Sequence, residues 1–107
     1  MIKVFFEKTE YITSVVISGH AMFSESGTDI VCASVSSMAI LAFNTCIEFD
    51  SKIKYEIDEK KGYLKLTTNK YLKNVDTVLN TLHIMLNELE IQYPKYISVN
   101  NGGESYD

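Results

Sequence analysis

SGHAMFSESGTDIVCASVSSMAILAFNTCIEFD, Ser18 to Asp50, is where the hydrophobic rhythm of this chain changes. Before it, apolar residues alternate. After Asp29 they return every three or four positions, so a strand gives way to a helix. Gly19 to Asp29 reads as the loop between them, longer than the roughly 4–6 residues usual in compact domains. Asp29 has an N-cap side chain, which places Ile30, Val31 and Cys32 at the first three helical positions. Val35, Met38, Ala42, Cys46 and Phe49 then form a stripe, widened by Leu41, Phe43 and Ile47. That pattern predicts a helix buried on more than one side, closed by Asp50 to Lys52.

Toward the N-terminus, Ile2, Val4 and Phe6 alternate with Lys3, Phe5 and Glu7. Lys8 to Glu10 is a turn, and Tyr11 to Ser18 is a second strand dense in β-branched residues. Beyond the helix, Ile53, Tyr55 and Ile57 mark a third strand, Glu59 to Gly62 a hairpin turn, and Tyr63 to Thr68 a fourth strand. A second helix runs from about Asn74 to Ile91, with Val75, Val78, Leu79, Leu82, Met85, Leu86 and Leu89 on one face. The lone proline, Pro94, ends it, and Tyr96 to Val99 adds a short fifth strand. The order ββαββαβ predicts an α+β fold: a mainly antiparallel sheet of four to five strands with two helices packed over it. Residues 1–99 form one domain, and 100–107, with Gly102-Gly103, a loose tail.

A chain of 107 residues, 46% apolar and 22% charged, has room for one core and needs no disulfide or metal to hold it. The net charge is −4, and no basic cluster exceeds Lys60-Lys61. Phosphate binding needs a local positive field, so nucleic acid is not the expected ligand. A basic partner suits the charge better. MIKVFFEKTE lacks the features of a signal peptide. Ile30 to Phe49 is interrupted by Ser34, Ser36, Ser37, Asn44, Thr45 and Glu48, and reads as a core helix, with no membrane partner expected. The expected compartment is the cytoplasm, where Cys32 and Cys46 stay reduced.

Cys32 is the candidate nucleophile, because helix N-terminal N–H groups and the macrodipole favour a thiolate. Its backbone N–H, in a first helical turn, is a plausible oxyanion donor. The plain alternative is burial, since free cysteine is among the most buried residue types. His20 stands at a strand end, where an imidazole can reach outward, take the thiol proton and later protonate a leaving amine. It is equally well read as a polar strand-end residue, and spacing alone leaves the two readings open. Ser36, one turn beyond Cys32, shares its face, though a helix serine more often bonds a carbonyl one turn back. Zinc is disfavoured: there is no C-x-x-C or H-x₃-H, and Cys46 lies on the core stripe. His83, near Asn80 and Asn87, reads as solvated. No cofactor is implied.

Gly19-His20-Ala21 followed by Gly27-x-Asp29-Ile30-Val31-Cys32-Ala33-x-Val35-Ser36 resembles the signature of the ribosomal-processing cysteine protease family (Prp). Gln92-Tyr93-Pro94-Lys95-Tyr96 is similar to a run that ends that family's second helix, and the resemblance extends over nearly the whole chain. It implies a cysteine endopeptidase that removes a short N-terminal extension from a large-subunit ribosomal protein. It further implies Cys32 as nucleophile, His20 as general base and acid, and Asp29 and Ser36 as their support. Gly19 and Gly27 would bracket a mobile loop, with Gly27 letting the substrate backbone approach, and the protein would be a homodimer. Two other classes remain in view: a non-catalytic ribosome-associated module that binds a nascent ribosomal protein, and a thiol hydrolase of small molecules with a deep apolar pocket.

Overall fold

The computed structural model describes residues 1–19, 26–58 and 61–100, with backbone alone for 26–29. Seven elements follow in the expected order: β1 (Ile2–Lys8), β2 (Ile12–Ser18), α1 (Ser26–Phe49), β3 (Lys54–Asp58), β4 (Tyr63–Thr67), α2 (Lys73–Gln92) and β5 (Ile97–Val99). The strands make one five-stranded sheet in the order β3-β4-β2-β1-β5. All neighbours are antiparallel except β1 and β5, which run parallel.

Alternation in the sequence becomes two different sheet faces. Val4 pairs with Ile17, Phe6 with Val15, Ile17 with Leu64, and Val15 with Leu66. These residues are buried and share one core with Val31, Val35, Ala39, Phe43 and Cys46 of α1 and Val75, Leu79, Leu82 and Leu86 of α2. Removing such surface from water, at roughly 25 cal/mol per Å², is what drives the helices onto the sheet. By length and composition Ile30–Phe49 would also pass for a bilayer-crossing helix. Here Val31, Val35, Ala39 and Phe43, at four-residue spacing, belong instead to the core shared with the sheet.

The helices depart from their sequence readings in three ways. First, α1 starts at Ser26, not after Asp29. Asp29 is therefore the fourth helical residue rather than the N-cap, and Gly27 lies in the first turn rather than in a loop. Second, α1 is buried on one side only: Leu41 is 71% exposed and Phe49 50%. The buried line runs through Val31, Val35, Ala39 and Phe43, so Ala39 replaces Leu41 and Phe49 as a core residue. Third, Met85 of the α2 stripe is exposed, while Val75, Leu79, Leu82 and Leu86 are buried as expected.

His83 is only partly solvated. Its ring stacks on Phe6, with centroids 4.0 Å apart, and its Nε2 lies 2.8 Å from the Asn100 carbonyl oxygen. The Asn100 side chain in turn accepts from the Phe6 N–H at 2.7 Å and donates to the Phe6 carbonyl at 3.1 Å. The fold thus reaches Asn100, which the sequence assigned to the tail. Residues 101–107, the remainder of that tail, lie outside the described residues.

Candidate active site

Two elements aim Cys32 at a cleft. Val31 and Val35 are fully or almost fully buried and fix the rotation of α1 against the sheet. The side chain between them, Cys32, is therefore held at the edge of the core and is half-buried. Ser36, one turn on, is exposed on the same side. Both line a cleft of about 280 Å³ with Ile2, Ile17, Gly19, Val35, Ile40, Ile57, Asp58, Gly62, Tyr63 and Leu64. The shared face of Cys32 and Ser36, expected from their spacing, is realised.

Gly19 enters the same cleft from the end of β2. Its φ is +97°, and a Cβ there would overlap the carbonyl oxygen of Met1. Any other residue would have to move the start of β1 and adopt a left-handed backbone, so glycine is required twice over. Its N–H donates to the Gly62 carbonyl at 3.0 Å, continuing the β2–β4 ladder one step past the Ser18–Tyr63 pair.

The earlier start of α1 changes the electrostatics read from sequence. Cys32 is the seventh residue of the helix, about 9 Å along its axis from Ser26 at 1.5 Å per residue. The macrodipole effect fades within the first turn, and a backbone N–H at this depth belongs to the helical i→i−4 ladder. The Cys32 amide thus lies beyond the first turn in which the sequence reading placed it. His20, the residue assigned as base, lies outside the described residues, as do the side chains of Asp29 and Gly27's surroundings.

Cys46 shows the opposite situation on the same helix. It is fully buried, and burial pushes its thiol up to about 11. Neither cysteine forms a disulfide. Among the described residues no three His, Cys, Asp or Glu gather to hold a metal ion.

The β3–β4 hairpin supplies Ile57, Asp58, Gly62 and Tyr63 to the cleft, and none was marked as functional from sequence. Only the placement of β4 beside β2 brings the hairpin there. Gly62, with φ +62°, was the available clue, but it reads equally well as an ordinary turn glycine.

Residues 1–98 match the family described as Cysteine protease Prp. The chain belongs to that family. A ribosomal processing cysteine protease Prp from Mycoplasma genitalium is 30% identical over 93 residues, spanning 86% of this chain and 89% of that one. A ribosomal processing protease Prp from Staphylococcus aureus, solved in complex with a substrate peptide, superposes with a TM-score of 0.85 at 26% identity, over 94% of this chain and 98% of that chain. The same protease in complex with a covalently linked product peptide gives 0.82 at 27% identity, with the same coverage. As a Prp-family chain the protein is a cysteine protease, and of its two thiols only Cys32 opens onto a cleft among the described residues.

Proposed function

We propose that this protein is the endopeptidase that removes the N-terminal extension of a large-subunit ribosomal protein, with Cys32 as nucleophile and His20 as general base and acid. The observation that carries this reading is the half-buried Cys32 sulfur in the wall of an apolar cleft that also contains Gly19, the residue directly before His20. The cleft exposes apolar side chains, Ile57 at 49% and Ile40 at 39%, and a substrate side chain laid against them would remove that surface from water. The relative with a covalently linked product peptide supports a covalent route.

The chemistry is acyl transfer. His20 takes the Cys32 proton, and the thiolate attacks the scissile carbonyl carbon. Collapse of the tetrahedral adduct breaks the C–N bond, and the imidazolium delivers its proton to the departing amine. Water, deprotonated by His20, then opens the thioester and restores the thiol. Asp29 and Ser36 support the pair in this reading. Ser36 is one helical turn from the sulfur, on the same cleft wall. The protein acts in the cytoplasm as a homodimer, without metal or cofactor, and contacts neither nucleic acid nor membrane.

Incubating the purified chain with the precursor ribosomal protein and weighing the products tests this directly. Cleavage at one bond near the precursor's N-terminus, lost in Cys32→Ala, is the expected result. Binding of the precursor without cleavage would favour the non-catalytic module instead. Sedimentation of the same sample reads the oligomeric state.

A further inference from the structure

The two borders of the sheet are finished differently. β5 is three residues long, and its Val99 N–H is taken up by Glu90 Oε2 at 2.8 Å. β3 forms the other border with five residues, paired to β4 in an unbroken register. Two bonds fix which way its backbone groups face. The Gly19 N–H donates to the Gly62 carbonyl, and the Thr68 N–H to the Thr13 carbonyl, at 3.0 Å each. In an antiparallel ladder, bonded pairs alternate with unbonded ones. Gly62, Leu64, Leu66 and Thr68 therefore turn their N–H and C=O toward β2, while Tyr63, Lys65 and Thr67 turn theirs toward β3. The partners of those three are Asp58, Glu56 and Lys54. Tyr55 and Ile57 are left with both backbone groups directed away from the sheet, and among the described residues no strand lies beyond them.

We infer, on the reading of this protein as the endopeptidase proposed above, that the substrate chain adds to β3 as a further strand, held by the N–H and C=O of Ile57 and Tyr55. Position identifies the occupant. Ile57 lines the cleft that contains Cys32, and its side chain is 49% exposed. A strand paired here would run about 4.8 Å from β3. Residues paired across a ladder turn their side chains to the same face. Tyr55 shares a face with Ile57 and packs on Phe43 of α1, with ring centroids 5.3 Å apart, so that face is the one toward α1. The substrate residue opposite Ile57 thus turns its side chain into the cleft, beside Cys32 and Ile40, and the next residue turns away. An extended peptide offers the matching donor and acceptor at every second residue. Main-chain bonds of this kind give affinity, and the pockets for alternate side chains give specificity.

The test reads the main chain on both sides of the contact. A synthetic peptide spanning the extension is N-methylated at one residue at a time, the scissile amide excepted, and cleavage of each version is measured. Two positions separated by a single residue should lose about tenfold in kcat/KM, each forfeiting one hydrogen bond, while the position between them stays near the unmodified value. On the enzyme, Ile57→Pro deletes an outward N–H without removing a bond of the β3–β4 ladder, and edge strands accept proline at such a position. Ile57→Ala controls for the lost side chain. The proline variant should show a KM about 3–10-fold above that of the alanine variant, at similar kcat. A scan without the alternation overturns the inference, and it decides the matter even if Ile57→Pro does not fold. So does a folded Ile57→Pro with the KM of Ile57→Ala; if that protein also sediments as a lighter species than wild type, the edge pairs two copies of this chain instead. A wild-type protein that cleaves neither peptide nor precursor defeats the function reading, whereas cleavage indifferent to N-methylation and to the proline defeats only the added strand.

Discussion

Cys32 and Cys46 stand on the same helix and meet opposite surroundings. Cys46 belongs to the sealed core, where burial holds its thiol protonated up to about pH 11. Cys32 packs against the margin of that core and borders a cleft. The helix is common to both, so the contrast teaches that reactivity here is assigned by tertiary position. Helix termini contribute little, because α1 begins well before Cys32. What distinguishes the two sulfurs is the opening left between the start of β1, the end of β2, the β3–β4 turn and α1.

The sharpest way to break this contrast is to remove each thiol in turn. Cys32→Ala should lower cleavage by on the order of 10³-fold or more, as removal of a nucleophile does elsewhere, with circular dichroism unchanged. His20→Ala should cost about 10²–10⁴-fold, the range for general acid–base catalysis, measured on the same peptide. Cys46→Ser should keep its activity but lose about 1–3 kcal/mol of stability in urea unfolding, from a hydroxyl placed in an apolar site. If Cys46→Ser were inactive and Cys32→Ser active, the assignment would be reversed.

Alkylation sharpens the same comparison without mutation. Native protein at neutral pH should label at Cys32 alone, with Cys46 reacting only after unfolding, as peptide mapping would show. The raised Cys46 value also predicts a pH effect. Between pH 9 and about 11 the folded state keeps a proton that the unfolded state releases. Stability should therefore fall as pH rises through that window, by about 1.4 kcal/mol per unit at most. Cys46→Ala should flatten the slope. The smallest effect is expected far from the cleft: His83→Ala loses the stack on Phe6 and the Asn100 contact. It should cost about 1–2 kcal/mol in thermal unfolding while leaving cleavage intact.

Much of this architecture was legible because burial imposes its period on sequence. Ile2, Val4 and Phe6 are buried while Lys3 is exposed, as alternation requires. Val75, Leu79, Leu82 and Leu86 follow the helical period just as closely. The start of α1 was not legible. Ser26, Thr28 and Asp29 all favour the first turn or its cap, and local preference cannot choose among them. Misplacing that start by four residues carried Cys32 into the first turn, whereas it is the seventh residue of the helix. His83 failed for another reason. Its partners, Phe6 and Asn100, are remote in sequence, and polar neighbours on its own helix suggested water. At the site, the Cys32–Ser36 face followed from helical geometry alone. The contribution of the β3–β4 turn needed the strand order, which alternation does not encode.

The parallel pairing of β1 with β5 makes the molecule a closed circuit. Ile2 donates to Tyr96, and Asn100 clasps Phe6 through both backbone groups. Among the described residues β1 has no other strand neighbour on that flank. A growing chain would thus carry a bare strand edge until residues 97 to 100 emerge, and such edges invite pairing with other chains. Shortening the protein ahead of Val99 should therefore harm solubility before it harms chemistry, because β1 is sheltered by a strand made much later in the chain.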